Sequence, residues 1–256
     1  HLAVGGGGLS AWIRLLRPHQ WAKNVLLAIP FCLAHRYGDG SGWMALGLAF
    51  VAMSLAASGI YILNDLVDIE RDRAHRSKHR RPFAAGTVPV LGGLGLAVVL
   101  LAAALTGSAI LLPGPFVAWL GIYLATTIAY SARLKQVPLV DVIVLAGLYD
   151  LRLIAGAAAV NVAISQWLLA LSMFLFVSLA LCKRFTELAP LLAEHGDEAR
   201  ARGYRAADLP ILESAGVGSG LIAILVLALF IHSGEVNRLY QAPWALWLIC
   251  PVLLYW

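Results

Sequence analysis

Residues 43–73 read WMALGLAFVAMSLAASGIYILNDLVDIERDR. The first part of this stretch, residues 43–63, carries no charged side chain, and about 20 mainly apolar residues are what an α-helix needs to cross a bilayer. The rest changes abruptly to acids and bases, with Asp65, Asp68 and Asp72 spaced three and four residues apart. The stretch therefore predicts a membrane span that ends in a charged segment at the water interface.

The composition of the whole chain is also strongly apolar. Of its 256 residues, 61% are hydrophobic and 13% are charged, whereas soluble domains have about 45–50% apolar and about 25% charged residues. This composition excludes an ordinary soluble domain, a disordered chain and a secreted disulfide scaffold. We expect an all-α fold, a polytopic bundle of membrane helices.

Apolar runs between polar breaks give the positions of the spans. Eight are visible, near residues 21–37, 43–63, 88–110, 115–132, 138–160, 165–182, 211–232 and 243–256. The last run is too short to cross a bilayer, so we expect the sequence to stop inside a helix. Residues 1–11 contain four consecutive glycines and are expected to form a flexible linker from a missing upstream domain. Residues 12–256 then form the membrane domain, truncated at its C-terminus.

Basic residues near the ends of spans favour the cytoplasmic side of a membrane. With these eight spans, sixteen of the 19 Lys and Arg residues fall on one side. Arg36 and Arg238 fall on the other side, and Arg152 lies inside a span. We therefore expect the N-terminus and the long polar loops to face the cytoplasm.

The aspartates after the second span are the first candidate site. On a regular helix, Asp65, Asp68 and Asp72 lie within about 60° of one another around the axis. Carboxylates on one face repel one another unless a cation lies between them, and Mg²⁺ that also bridges substrate phosphates suits such a face. Asn64 directly precedes them in the sequence.

The same segment then becomes basic, with Arg73, Lys78, Arg80 and Arg81. Arg and Lys neutralise the oxygens of phosphate groups, so this run is a candidate for binding the remaining oxygens of a magnesium diphosphate. The alternative is a loop that only follows the positive-inside rule and contacts anionic lipid.

A second candidate group extends from Tyr130 to Arg152. Lys135 lies in a cytoplasmic turn, Asp141 enters the next helix, and Arg152 follows eleven residues later on the same face, about 16 Å deeper. An arginine at that depth needs an anionic partner, either a carboxylate or a substrate phosphate. Asp150 lies on the opposite face, and the pattern leaves it unexplained.

Two smaller groups complete the candidates. Lys183 and Arg184 end the sixth span, although Lys183 is one turn from Glu187 and the two have the spacing of a surface ion pair. Gln20, Lys23 and Asn24 lie on roughly one face of the first helix. These three residues alone are a weak signal for a binding site.

The motifs together resemble the UbiA superfamily of intramembrane prenyltransferases. Asn64-Asp65-x-x-Asp68-x-x-x-Asp72 marks the superfamily. Six further motifs resemble one branch of it, that of decaprenyl-phosphate phosphoribosyltransferase. They are Arg17-Pro18-His19-Gln20-Trp21-x-Lys23-Asn24, Arg73-x-His75-x-x-Lys78-x-x-Arg81-Pro82, Tyr130-Ser131-x-x-Leu134-Lys135, Asp141, Leu151-Arg152-x-x-Ala155-Gly156 and Lys183-Arg184-Phe185-x-Glu187-Leu188. The similarity extends from about residue 12 to the end. Asp150 departs from the pattern, which expects an uncharged residue there.

The resemblance implies Mg²⁺-dependent transfer of 5-phosphoribose from 5-phosphoribosyl-1-diphosphate (PRPP) to a polyprenyl phosphate. Asn64, Asp65, Asp68 and Asp72 would hold Mg²⁺ and the diphosphate. The candidates for the sugar 5-phosphate and the lipid phosphate are Lys78, Arg81, Lys135, Arg152, Lys183 and Arg184. The resemblance also implies a ninth span after residue 256, a phosphatase domain of the HAD type upstream, and a site that faces the cytoplasm from the bacterial inner membrane.

Two other functions stay open. An aromatic prenyltransferase would bind a prenyl diphosphate at the same aspartates. A transporter of a phosphorylated solute would need polar groups near the middle of the bilayer and internal repeats, which the sequence does not show convincingly. We expect no nucleic acid among the partners, and the sequence leaves open whether the chain forms a homo-oligomer.

Overall fold

Long apolar helices account for most of the chain. The computed structural model describes residues 8–74, 78–196, 200–201, 203–234 and 236–255. Most of the predicted linker, His75 and Arg76 of the basic segment, Arg202 and Trp256 lie outside the described residues. The α-helices are α1 Leu9–Leu16, α2 Ile29–Leu33, α3 Gly40–Val67, α4 Ile69–Ala74, α5 Val90–Leu111, α6 Gly114–Ala132, α7 Val140–Ala159, α8 Gln166–His195, α9 Leu209–His232, α10 Val236–Leu239 and α11 Ile249–Tyr255.

The predicted fold class is confirmed. Among the described residues, six helical stretches are long and apolar enough to cross a membrane, and they match the second to seventh predicted spans: Gly40–Val67, Val90–Leu111, Gly114–Ala132, Val140–Ala159, Gln166–Leu192 and Ala206–His232. The eighth prediction corresponds to a shorter apolar helix, Pro243–Leu254. The chain is an all-α, polytopic membrane protein.

The first predicted span, at 21–37, differs from the expectation of a regular α-helix. It consists of a 3₁₀-helix, Pro18–Ala28, followed directly by α2. A 3₁₀-helix rises about 2.0 Å per residue and an α-helix about 1.5 Å. Together the two pieces therefore reach about 30 Å, which is the thickness of the hydrocarbon core. These sixteen residues are thus about as long as the hydrocarbon core is thick, which is the length that the sequence predicted for a membrane span.

The chain is divided into two compact units. The first contains His1–Ser131 and Leu151–Ala163, so it holds α1 to α6, apart from the end of α6, and the second part of α7. In its buried core, Leu15 of α1, Ile62 of α3 and Ala97 of α5 pack together with Phe83, which precedes α5. Asp39 caps the start of α3 by accepting a hydrogen bond from the Gly42 N–H.

The second unit contains Ala132–Asp150 and Ile164–Trp256. Its core packs α8 against α9 through Leu181, Leu188 and Leu212, and the Ser178 hydroxyl of α8 donates to the Gly216 carbonyl oxygen of α9 at 2.7 Å. Between these helices in the chain comes a short antiparallel strand pair, β1 Arg200–Ala201 and β2 Tyr204–Arg205. This pair brings Tyr204 into the core of the unit.

Candidate functional site

Two buried carboxylates at the end of α3 and in α4 form the centre of the first site. Asp65 and Asp72 are each 4% exposed. Nη1 of Arg81 lies 3.1 Å from Asp65 Oδ1 and 2.7 Å from Asp72 Oδ2. Nη2 of Arg17 lies 2.6 Å from the same Asp65 oxygen. We call Arg17, Asp65, Asp72 and Arg81 the acidic cluster.

The backbone explains why Asp65 and Asp72 share a partner. α3 ends at Val67, but the Asp68 N–H still donates to the Asn64 carbonyl and the Asp72 N–H to the Asp68 carbonyl. The helical course therefore continues across the break, and residues seven apart stay on one face. Asp68 has a different partner, since its Oδ1 lies 3.7 Å from Nη1 of the exposed Arg71.

The donor chemistry of the acidic cluster fits a hard cation. Carboxylate oxygens are the ligands that Mg²⁺ prefers, and it is usually bound by one or two of them together with water and substrate phosphates. Among the described residues, no three His, Cys, Asp or Glu side chains converge on one point. Such a donor set would suit a metal that a substrate helps to bind; in the structure the guanidinium groups of Arg17 and Arg81 pair with both carboxylates.

Asn64, Arg73, Lys78 and Tyr130, which were also predicted for the site, belong to the same unit. Asn64 Nδ2 donates to Ser131 Oγ at 2.9 Å. Arg73 is exposed and its Nε lies 3.4 Å from the Ala84 carbonyl oxygen. Lys78 is exposed, and Tyr130 is half-buried.

Arg152 forms the second site, which also lies in the first unit. It is 5% exposed. Its Nε donates to Asn24 Oδ1 at 3.1 Å, and its Nη2 donates to the Tyr123 hydroxyl at 3.0 Å. Asn24 in turn donates to Ser54 Oγ at 2.9 Å. We call Asn24, Ser54, Tyr123 and Arg152 the Arg152 cluster.

Gly156 explains how Arg152 reaches Asn24. A side chain at position 156 would collide with the backbone of Leu27, so only glycine lets α7 approach the 3₁₀-helix this closely. Arg152 and Gly156 are one turn apart on α7, as Asn24 and Leu27 are on their own helix. Of the other predicted residues of the 3₁₀-helix, Gln20 and Lys23 are half-buried.

A third group lies in the second unit. Asp141 is fully buried, and each of its carboxylate oxygens accepts a hydrogen bond. Arg184 Nε lies 2.5 Å from Oδ2, and the Tyr204 hydroxyl donates to Oδ1 at 2.6 Å. Arg184 also contacts Glu187 at 2.5 Å, and the Tyr204 hydroxyl accepts from the Leu139 N–H at 2.7 Å. We call Leu139, Asp141, Arg184, Glu187 and Tyr204 the Tyr204 cluster.

The surroundings of Tyr204 favour its neutral form. Burial raises the pKa of Tyr204 well above its usual value, and the hydrogen bond to Asp141 raises it further. A neutral phenol keeps its proton, so Tyr204 stays a donor to Asp141. Of the other predicted residues of this unit, Lys135 is half-buried in the turn before α7, and Lys183 is exposed beside Arg184.

Asp150, which the sequence left unexplained, has a local partner. The Ser172 hydroxyl of α8 donates to Asp150 Oδ1 at 2.6 Å. Both residues belong to the second unit. This contact gives Asp150 a place in the packing of α7 on α8.

Six residues of these clusters were not among the sequence-predicted site residues: Arg17, Ser54, Tyr123, Leu139, Glu187 and Tyr204. A signal for the first two was present. Ser54, Ser58, Tyr61 and Asp65 follow one another at spacings of four, three and four, which is one face of a helix. That stripe contacts the N-terminal segment, where Trp21 Nε1 donates to Ser58 Oγ at 3.0 Å and the Arg17 guanidinium lies 5.4 Å from the Tyr61 ring centre. Tyr123 and Tyr204 had no local signal.

Comparison with known proteins gives one family. The sequence model of the UbiA prenyltransferase family matches residues 25–256. An uncharacterised protein of Sinorhizobium fredii, y4nM, is 39% identical over 91% of this chain and 45% of its own length. The nodulation protein NoeC of Azorhizobium caulinodans is 36% identical over 94% of this chain and 78% of its own length.

A third relative carries a name that describes an activity. The decaprenyl-phosphate phosphoribosyltransferase of Mycobacterium tuberculosis is 38% identical over 69% of this chain and 59% of its own length. The chain therefore spans less than two thirds of this relative and of the Sinorhizobium protein.

A solved structure has the same fold. It is a UbiA homologue from Archaeoglobus fulgidus bound to DMAPP and Mg²⁺, and the match covers 95% of this chain and 83% of that one with a TM-score of 0.68. The two sequences are 18% identical. At this sequence identity, the similarity shows a common fold and nothing more.

Proposed function

The chain belongs to the UbiA prenyltransferase family, and on that premise we propose that it is a polyprenyl-phosphate phosphoribosyltransferase. In the proposed reaction, 5-phosphoribose passes from PRPP to a polyprenyl phosphate and diphosphate is released. The reaction depends on Mg²⁺ and takes place at the cytoplasmic face of the bacterial plasma membrane.

The relatives support this choice among the activities of a UbiA fold. Proteins named decaprenyl-phosphate phosphoribosyltransferase are 38% identical over 69% of this chain in Mycobacterium tuberculosis and 36% identical over 69% in Corynebacterium glutamicum. The branch motifs around Arg17, Arg81 and Lys135 favour the same activity.

The observation that carries the proposal is the acidic cluster. Two buried carboxylates are joined by one guanidinium at 2.7 and 3.1 Å, and a second guanidinium contacts Asp65 at 2.6 Å. Carboxylates bind a divalent cation, and guanidinium groups bind phosphate oxygens with two hydrogen bonds. This pairing of opposite charges is the chemistry that a metal diphosphate requires.

The proposed reaction exchanges one bond to the sugar for another. The bond from ribose C1 to the diphosphate oxygen breaks, and a bond from C1 to an oxygen of the lipid phosphate forms. Because a phosphate is already ionised near pH 7, no general base is needed to activate it. The protein must instead align two anions and neutralise their charge.

We assign the residues accordingly. Asn64, Asp65, Asp68 and Asp72 would hold Mg²⁺ together with the substrate, and the metal would supply charge stabilisation for the departing diphosphate. Arg17 and Arg81 neutralise the two buried carboxylates in the structure and bind diphosphate oxygens in the complex. By the resemblance, the candidates for the sugar 5-phosphate and the lipid phosphate are Arg73, Lys78, Lys135, Arg152, Lys183 and Arg184, and the further substrate-binding candidates are Gln20, Lys23, Asn24 and Tyr130.

The test is a transfer assay with the purified chain in lipid nanodiscs. Labelled PRPP, Mg²⁺ and a polyprenyl phosphate are incubated with it, and the organic phase is counted. Label in that phase that depends on all three components supports the proposal. At limiting Mg²⁺, Asp65→Asn lowers the transfer about tenfold or more, whereas Asp39→Asn, a matched change at the opposite end of α3, leaves it intact.

A second arm of the same assay tests the main alternative. It replaces PRPP and polyprenyl phosphate by a prenyl diphosphate and an aromatic acid such as 4-hydroxybenzoate. Product in this arm, with none from PRPP, would make the chain an aromatic prenyltransferase and overturn the proposal.

A further inference from the structure

The Tyr204 hydroxyl joins three parts of the second unit. It accepts the N–H of Leu139 at 2.7 Å in the turn before α7, and it donates to Asp141 Oδ1 at 2.6 Å at the start of α7. Asp141 Oδ2 accepts from Arg184 of α8. Tyr204 itself is 3% exposed and comes from β2. This buried hydroxyl thus connects β2 to the turn and to α7 directly, and to α8 through Asp141.

The backbone on both sides of this contact is unusual. Leu139 has a positive φ of 65°, a conformation that is rare for a residue with a side chain. Gly203 has a φ of 85°, and a Cβ there would meet the Gln136 carbonyl oxygen and Pro138. The turn therefore contacts β2 at Tyr204 and, one residue earlier, at Gly203.

The local hydrogen bonds of the turn single out Leu139. The N–H groups of Gln136, Val137, Val140 and Asp141 all donate to backbone carbonyls within the same segment. The Leu139 N–H donates instead to a side chain 65 residues away. In the turn that carries Lys135, the Leu139 N–H consequently depends on Tyr204 for its hydrogen bond.

We propose that Tyr204 is a positioning residue that holds the turn at 134–139, and Lys135 with it, in place for a phosphate monoester. Asp141 and Arg184 belong to the same support and not to the phosphate ligands, because both oxygens of Asp141 and the guanidinium of Arg184 are engaged and buried. The ligand class is a phosphate monoester, which a lysine binds as a point charge. This inference rests on the proposed function for the two substrates that carry such a group.

The first experiment does not depend on activity. Hydrogen–deuterium exchange of the wild-type chain in nanodiscs is followed in peptides that cover 134–141, with assignment of the Leu139 amide. We expect this amide to be protected. Tyr204→Phe increases its exchange rate about tenfold, the effect of losing one hydrogen bond, while Tyr37→Phe, which removes the hydroxyl of an exposed ring in the first unit, changes nothing at 134–141.

A second pair of variants keeps the hydroxyl and moves the strand. Gly203→Ala places a Cβ against the turn, and Gly196→Ala places one in open space at a similar positive φ of 57°. Both substitutions place a Cβ on a residue with positive φ. Only Gly203→Ala is expected to increase exchange at 134–141, so the pair separates docking from strain if Tyr204→Phe does not fold.

Kinetics in the transfer assay give the functional readout. Tyr204→Phe raises KM about fivefold or more for one of the two substrates and changes kcat less than about twofold, because the turn positions a binding group and not the reacting atoms. A rise in KM for PRPP assigns Lys135 to the sugar 5-phosphate, and a rise for polyprenyl phosphate assigns it to the lipid head group.

The outcomes are separable. An unprotected Leu139 amide in the wild type, or faster exchange in Tyr204→Phe with both KM values unchanged, overturns the positioning role while the transferase activity stands. A wild-type chain that transfers no phosphoribose overturns the proposed function. The exchange data then still decide whether Tyr204 holds the turn.

Discussion

Arg17 and Asp65 form an ion pair of 2.6 Å between Nη2 and Oδ1, although 48 residues separate them. The pair joins the left-handed residue after α1, with a φ of 51°, to the last turns of α3. A non-glycine residue in that conformation is strained. The ion pair and the Tyr61 ring beneath the guanidinium offset that strain and hold Arg17 at the acidic cluster.

Arg17→Gln is expected to weaken substrate binding more than the fold. The side chain of Arg17 is 21% exposed and Arg81 still neutralises Asp65, so the loss of unfolding free energy is about 1 kcal/mol. If Arg17 binds diphosphate, kcat/KM for PRPP falls about tenfold or more. Arg14→Gln on the exposed side of α1 is the matched control and keeps normal kinetics. Equal kinetics of the two variants would remove Arg17 from the site.

Asp65→Asn is expected to weaken metal binding. It removes one of the two buried carboxylates, so the Mg²⁺ concentration for half-maximal activity rises about tenfold or more. Electron paramagnetic resonance of Mn²⁺ in the presence of unlabelled diphosphate measures the same loss without turnover. Asp39→Asn should bind Mn²⁺ as the wild type does. Mn²⁺ affinity that is unchanged in Asp65→Asn would contradict the assignment of this carboxylate.

Two substitutions at Asn24 test the role of Arg152. Asn24→Ala leaves Arg152 Nε and Ser54 Oγ each short of one hydrogen bond and destabilises the chain by about 1–3 kcal/mol. Asn24→Asp keeps an acceptor for Arg152 and adds a charge beside it. If Arg152 binds a substrate phosphate, the aspartate competes for it, and Asn24→Asp raises KM more than Asn24→Ala does.

The comparison of the two Asn24 variants uses thermal unfolding and KM for both substrates. Asn24→Asp is expected to be the more stable variant and the poorer enzyme. The opposite order, with KM following stability, would show that Arg152 acts through packing alone.

Gly156→Ala tests the close approach of α7 to the 3₁₀-helix. Its Cβ meets the backbone of Leu27, which cannot rotate away, so we expect a loss of about 1–3 kcal/mol, as for overpacked cores. Gly147→Ala lies on the same helix with open space around its Cβ. That control is expected to be neutral or to gain up to about 1 kcal/mol of helix propensity. Thermal unfolding in nanodiscs compares the two, and equal stability would contradict the packing described for Gly156.

Six of the eight predicted spans agree with long apolar helices in the described part of the chain, because hydropathy is a local property. The apolar run at 43–63 and the acids after it follow from residues that are adjacent in the chain, and α3 continues through them to Val67. The spacing of Asp65 and Asp72 likewise predicted one face, and both contact Arg81. The first span was predicted only in position. Its 3₁₀ geometry depends on Pro18 and Pro30 and on neighbours that hydropathy does not describe.

The sequence by itself determined the membrane helices, the clustering of acids and bases at their ends, and the family motifs. The tertiary structure decided which charges meet: Arg17 with Asp65, Asn24 with Arg152 across 128 residues, and Tyr204 with Asp141 across 63. Helix periodicity fixes only the face on which a side chain lies. Its partner depends on which two faces pack together, and that choice is made by the whole fold, down to a single glycine at position 156.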